Sequence, residues 1–127
     1  MRFVVLKHSR QGCQTHYDLM IEQFEGSEKL FTFSLSLTPR ELMASGCAEG
    51  KKIFDHDRRF LDYEGPVNKE QGNVVRVDQG TVEMQDFASH NAASTTTRYI
   101  FNGTYLNGTF DIYSADGACR LQKIISD

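Results

Sequence analysis

The stretch RFVVLKHSRQGCQTHYDLMIEQF, residues 2–24, decides the fold. Residues 2–7 are β-branched and aromatic, which suits a pleated, half-buried strand. Residues 16–24 alternate: Tyr17, Leu19 and Ile21 fall on one face of a strand, while His16, Asp18, Met20 and Glu22 fall on the other. The seven residues between His8 and His16 can form a hairpin loop, and antiparallel pairing then brings His8 near His16.

Working outward, residues 29–36 read as a third strand. Thr38-Pro39-Arg40-Glu41 has capping-box spacing with proline at the first helical position, which predicts a short helix over 38–45 ending near Ser45-Gly46. Residues 51–56 and the run through Phe60-Leu61 read as further strand, closed by a turn at Glu64-Gly65-Pro66. Residues 73–77 and 80–86 flank Asp78-Gln79-Gly80, and residues 98–106 and 109–114 flank Asn107-Gly108, both hairpin signals. Residues 119–125 supply a last strand, and the small, polar run from Ser89 to Thr97 reads as a loop. The expectation is an all-β fold with one short helix, a small antiparallel β-barrel of about eight strands formed by residues 1–127 as one domain. Closure removes the exposed edges that so many strands would otherwise present.

Composition bounds the function. A net charge of −3 argues against coating a nucleic-acid duplex by charge alone, since such affinity grows with the phosphates neutralised. It leaves room for a local basic patch at a strand end. Three cysteines at irregular spacing, Cys13, Cys47 and Cys119, are no disulfide framework. The first ten residues hold an apolar stretch of only four, too short for a signal or a membrane span, so a cytoplasmic protein without membrane contact is expected. The two Asn-Gly-Thr sequons, at Asn102 and Asn107, then read as turn chemistry.

Several residues could carry chemistry. His16 and Asp18, two apart on a strand, project to one face and can reach a common ion, with His8 joining them from the preceding strand. Two imidazoles and a carboxylate suit Zn²⁺, Mn²⁺ or Fe²⁺ with positions left open for water or substrate. Cys13 offers an alternative, a closed Cys/His/His/Asp site that would only stabilise the loop; a third reading leaves the histidines as ordinary strand-end residues. His56, within Phe54-Asp55-His56-Asp57, is flanked by carboxylates that favour its charged form, and Arg58 and Arg59 follow it. His90 lies in the polar run without an evident partner.

In order along the chain, these pieces resemble the 3′-phosphoesterase domain of bacterial DNA ligase D. The resemblance runs through RFVVLKH (2–8), HYDLMIE (16–22), Asp55-His56, LDYEGPV (61–67), GNVVRVDQGTVE (72–83) and the closing RLQKI (120–124). It implies a compact β-barrel that trims nucleic-acid 3′ ends in DNA repair, removing a terminal phosphate or ribonucleotide from DNA or RNA. It implies a divalent ion, manganese with zinc as the alternative, held by His8, His16 and Asp18, and it implies that His56 acts at the scissile phosphate. The chain departs from the family where Met20 replaces an arginine, Phe60 a tyrosine and Phe54 an acid, and its first two histidines stand about two residues further apart. Arg58, Arg59 and Lys7 are the cations that could meet substrate instead. A degenerate module that binds nucleic-acid ends or a repair partner without turnover is the alternative expectation, and a barrel with no ion at all is a third.

Overall fold

The protein is seen in a computed structural model that describes residues 1–68, 71–91 and 94–125, the side chains of residues 86–91, His90 included, lying outside the description. The strands are β1 (Arg2–Ser9), β2 (His16–Glu22), β3 (Lys29–Leu35), β4 (Cys47–Asp57), β5 (Gly65–Pro66), β6 (Asn73–Asn91), β7 (Ser94–Gly103), β8 (Asn107–Ala115) and β9 (Ala118–Lys123). One helix, α1 (Pro39–Ser45), precedes β4, and a 3₁₀ turn, Arg58–Leu61, follows it. The sheet runs β1-β2-β3-β4-β9-β8-β7-β6-β5, every pairing is antiparallel, and β1 also pairs with β6. That last pairing closes eight strands into a ring, with two-residue β5 outside it. The all-β, barrel-like architecture with one short helix is as the alternation predicts.

The period of two sorts the side chains. Phe3, Val5, Leu19, Ile21, Phe33, Phe101, Phe110, Ile112 and Leu121 pack together as the main core, joined by Tyr17. The alternate positions Val4, Leu6 and Met20 form a second, smaller core with Leu30, Val74 and the 3₁₀-turn residues Phe60 and Leu61. Strands β1 and β2 are therefore apolar on both faces. The segment after β4 covers the second face, which an open barrel wall would leave to water.

Helix α1 forms where its capping signal lies. The Thr38 hydroxyl accepts from the Glu41 amide at 3.1 Å, the Glu41 carboxylate accepts from the Thr38 amide at 3.0 Å, and Gly46 ends the helix at φ 78°.

Five local expectations are corrected, the first being the turn at Glu64-Gly65-Pro66, where Gly65 and Pro66 instead form β5 and pair with Val74 and Asn73. Asp78-Gln79-Gly80 is no hairpin turn: β6 runs through it as one strand of 19 residues, pairing with β1 over Asn73–Thr81 and with β7 from Gly80 onward. Gly80 serves close approach, since a Cβ there would come within 2.1 Å of the Asn102 carbonyl oxygen. Asp78 serves the neighbouring turn. Its buried carboxylate accepts from the amides of Gln79 (2.8 Å), Thr104 (2.9 Å), Tyr105 (3.2 Å) and Leu106 (2.7 Å). This clamp, with Leu106 buried in the core, moves the β7–β8 turn to residues 104–106, so that Asn107-Gly108 opens β8 and does not form the turn. Asn102 pairs with Asn107 at the turn's base.

Phe60-Leu61 lie on the 3₁₀ turn, not on strand, because both are needed to fill the second core. The polar run expected as a loop is strand on either side, through Asn91 and from Ser94, with residues 92–93 outside the described set. There the backbone pairing of β6 with β7 overrides a turn-like composition. A tight hairpin absent from the sequence reading joins β8 to β9 at Asp116-Gly117, both at positive φ (51° and 80°), as a type I′ turn needs.

Asp78→Ala should lower the free energy of unfolding by roughly 3 kcal/mol or more, because buried amides lose a charged acceptor. Urea denaturation measures this, and a loss under about 1 kcal/mol would contradict the clamp.

Candidate metal centre

The metal candidates meet on the outer face of β1 and β2. Register places His8 opposite His16 and Asp18 opposite Ser34 of β3. His8 Nδ1 lies 3.1 Å from His16 Nε2 and 3.7 Å from Asp18 Oδ2, and His16 Nε2 lies 3.4 Å from Asp18 Oδ1. One ligand atom from each of the three can be chosen so that all lie within 4.8 Å of one another. A tetrahedral ion with bonds of about 2.0–2.1 Å holds its ligands about 3.3 Å apart, so these separations are of the size one cation needs.

A hydrogen bond orients His8. His8 Nε2 faces the Gln71 carbonyl at 2.5 Å; a carbonyl only accepts, so Nε2 carries a proton and Nδ1 is the atom turned towards His16 and Asp18. Asp18 is 2% exposed, and its Oδ1 has no hydrogen-bond partner among the described residues. Burial raises its pKa, against the pull of His16, His8 and His56 and of the Ser34 hydroxyl. A buried, incompletely satisfied carboxylate facing two imidazoles is costly to keep, and a cation is the chemistry that would satisfy it. The residues present fit a divalent ion. Cys13 is exposed on the 10–13 turn and lies outside this cluster, so a closed four-ligand site with the thiol does not form.

The cluster lies in a cleft of about 830 Å³ whose lining includes Met20, Lys29, Phe54, His56, Arg59 and Phe60. His56 reaches it from β4, where it pairs with Leu30. Its Nδ1 donates to the Phe54 carbonyl at 2.9 Å, which leaves Nε2 as the atom for proton transfer or for a phosphate. Met20, 1% exposed, belongs to the apolar floor. Where the family pattern has an arginine, this chain has packing.

The three cations of the sequence reading part company. Arg59 lines the cleft, its guanidinium 4.9 Å from the Phe60 ring centre and 5.5 Å from that of Tyr63. Arg58 turns instead to Glu22, bonding its carboxylate and, at 3.2 Å, the Ser27 carbonyl. Lys7 is exposed and one residue out of phase with His8, which puts it on the other face of β1; it does not line the cleft. Lys29, which had no local sequence signal, does line it and pairs with Asp57.

Glu22 contrasts with Asp18. Burial alone would raise its carboxyl, but hydrogen bonds from the Arg58 guanidinium and the Arg2 and Gly26 amides outweigh burial and hold it below the usual range. A depressed carboxyl contributes stability that is complete above the unfolded value near about pH 4.3 and lost as pH falls through the folded one. Glu22→Gln should therefore cost roughly 2 kcal/mol at neutral pH, and the gap to wild type should close towards about pH 3. A gap in urea midpoint that ignores pH would contradict this.

Asp18→Asn should raise the melting temperature of metal-stripped protein by roughly 2–5 °C, since it removes a buried charge, and abolish any rise on adding Mn²⁺ or Zn²⁺. A variant that keeps the metal-induced rise would remove Asp18 from the ligand set.

No protein-family model matches this chain and no curated protein does, so a functional reading is carried by the site's own chemistry and the ordered motifs of the sequence.

Proposed function

We propose that the cleft hydrolyses phosphoesters at the 3′ ends of DNA or RNA strands, as the likeness to the ligase D 3′-phosphoesterase implies, with His8, His16 and Asp18 holding a divalent ion, Mn²⁺ or Zn²⁺. The observation that carries this reading is the buried Asp18 carboxylate in the cleft lining, 3.4 Å from His16 Nε2 and 3.7 Å from His8 Nδ1, with no hydrogen-bond partner for Oδ1 among the described residues. When bound, the ion supplies a Lewis acid for a phosphoryl oxygen.

The chain's own groups do the rest. His8, oriented by the Gln71 carbonyl, turns its Nδ1 inward, and Asp18 brings a carboxylate whose Oδ1 has no hydrogen-bond partner among the described residues. His56, oriented through Nδ1, presents Nε2: protonated, it donates to a phosphate oxygen or to the departing alkoxide, and neutral, it accepts a proton. Arg59 lines the same cleft and offers positive charge to a phosphate, in the place of the family's arginine, while Lys29, in the same lining, is paired with Asp57.

A second reading, an end-binding module without turnover that serves a repair partner, is favoured by one feature: Met20 fills the floor with a thioether that cannot neutralise phosphate. One experiment separates the two. Purified protein is incubated with a 3′-phosphorylated primer and Mn²⁺, and phosphate release is measured. The expected result is release that EDTA stops and that His56→Ala lowers at least about a hundredfold. Absence of product at high enzyme concentration, with oligonucleotide binding intact, would leave the second reading.

A further inference from the structure

One wall of the cleft is aromatic and open to solvent. Phe54 is 75% exposed, the most exposed aromatic side chain among the described residues. Register explains its position. On the β3–β4 ladder Leu30 pairs with His56 and Thr32 with Ile53, so Phe31 alone faces both Phe54 and Asp55. This β-bulge adds a residue to β4 and re-aims the side chains around it.

The exposed ring is nevertheless held. It lies parallel to His56, with ring centres 4.4 Å apart and planes inclined by 12°, while His56 Nδ1 bonds the carbonyl of Phe54 itself. Phe60 meets His56 edge-on at 5.5 Å, and Arg59 covers Phe60. Phe54 is thus backed on one side by a fixed stack, which leaves its other side for a flat partner. An apolar side chain so exposed, held in place and lining the cleft that contains the candidate metal cluster, calls for a ligand explanation more than a scattered surface phenylalanine does.

We propose that Phe54 is the stacking platform for the unpaired terminal nucleobase of a single-stranded nucleic-acid 3′ end. The proposal rests on the functional reading above for the direction of the strand, whose terminal phosphate would lie towards His8, His16 and Asp18. Three features favour a nucleobase. The available surface is a π-face, the partner suited to base stacking without sequence preference. Arg59 lines the same cleft and suits the phosphate on the 5′ side of that nucleotide, with Lys29, paired to Asp57, also in the lining. The cleft, about 830 Å³, lies in the size range of small-ligand pockets, about 300–1,000 Å³, and has room for a nucleotide beyond the ion itself. Because a paired terminal base is held by its complement and by its stack on the neighbouring pair, a base free of both reaches Phe54 at lower cost, so the platform favours frayed or single-stranded ends.

The test uses Mn²⁺-loaded protein and two 5′-labelled single-stranded oligonucleotides ending in a 3′-hydroxyl, which carry no terminal phosphate to be removed. One ends in a normal adenosine and the other in an abasic nucleotide, and binding is read by anisotropy. Wild type should prefer the base-bearing end by about tenfold or more, the usual value of one base–aromatic stack. Phe54→Leu, which keeps the apolar character, should reduce the preference to within about twofold, and Phe54→Trp should retain it. Lack of preference in wild type, an undiminished preference in Phe54→Leu, or no binding of either oligonucleotide would overturn the platform. Phosphate release is assayed in parallel. Preference without release removes the hydrolase reading alone, and release without preference removes the platform alone.

Discussion

Strand β1 is hydrogen-bonded along both edges, to β2 on one side and to β6 on the other, and this double pairing organises the molecule. It closes eight strands into a ring, so that Phe3 and Val5 point into the main core while Val4, Leu6 and His8 point outward. The pairing with β2 is continuous from Phe3 to His8, and an unbroken register is what sets His8 opposite His16. A slip of one residue would exchange the faces and place the imidazoles against the interior. On the β6 side the ladder is broken between Val5 and Leu6, where Val77 is the extra residue. The irregularity is taken up away from the pair that carries the histidines.

The outer face of β1 and β2 departs from an ordinary barrel wall. A second apolar cluster covers much of it, roofed by Phe60 and Leu61 of the 3₁₀ turn, and the candidate site lies where this roof gives way to the cleft. Low dielectric on one side and water on the other strengthen electrostatic interactions there while leaving a path for a ligand.

Three buried carboxylates among the described residues show how the same group serves different ends. Asp78 accepts from four backbone amides and ties β6 to the β7–β8 turn. Glu22 accepts from a guanidinium and two amides and is held ionised. Asp18, four residues before Glu22 on the same strand, keeps an oxygen without a partner, and its pKa moves up. Natural folds satisfy buried polar groups almost everywhere, so an exception beside two imidazoles is the feature on which the proposed ion site rests. Side-chain type alone does not distinguish these cases; the donors brought by distant residues do.

Much of the fold was legible in the sequence, because alternation and capping are local. The faces of β2, the hairpin between His8 and His16, the helix at Thr38-Pro39-Arg40-Glu41 and the all-β class all follow from the period of two and from short-range hydrogen bonds. The three metal candidates were legible for the same reason, since a strand and one hairpin suffice to bring them together. Tertiary structure decided what depends on partners remote in the chain. Asp78, 26 to 28 residues before the amides it binds, chose the β7–β8 turn over Asn107-Gly108. Glu22 drew Arg58 out of the cleft while Arg59 stayed, Lys29 entered from β3, and the β4 bulge exposed Phe54. A residue's type and spacing fix the face it occupies. Whether that face meets water, a core or an opposing charge depends on strands that arrive from elsewhere.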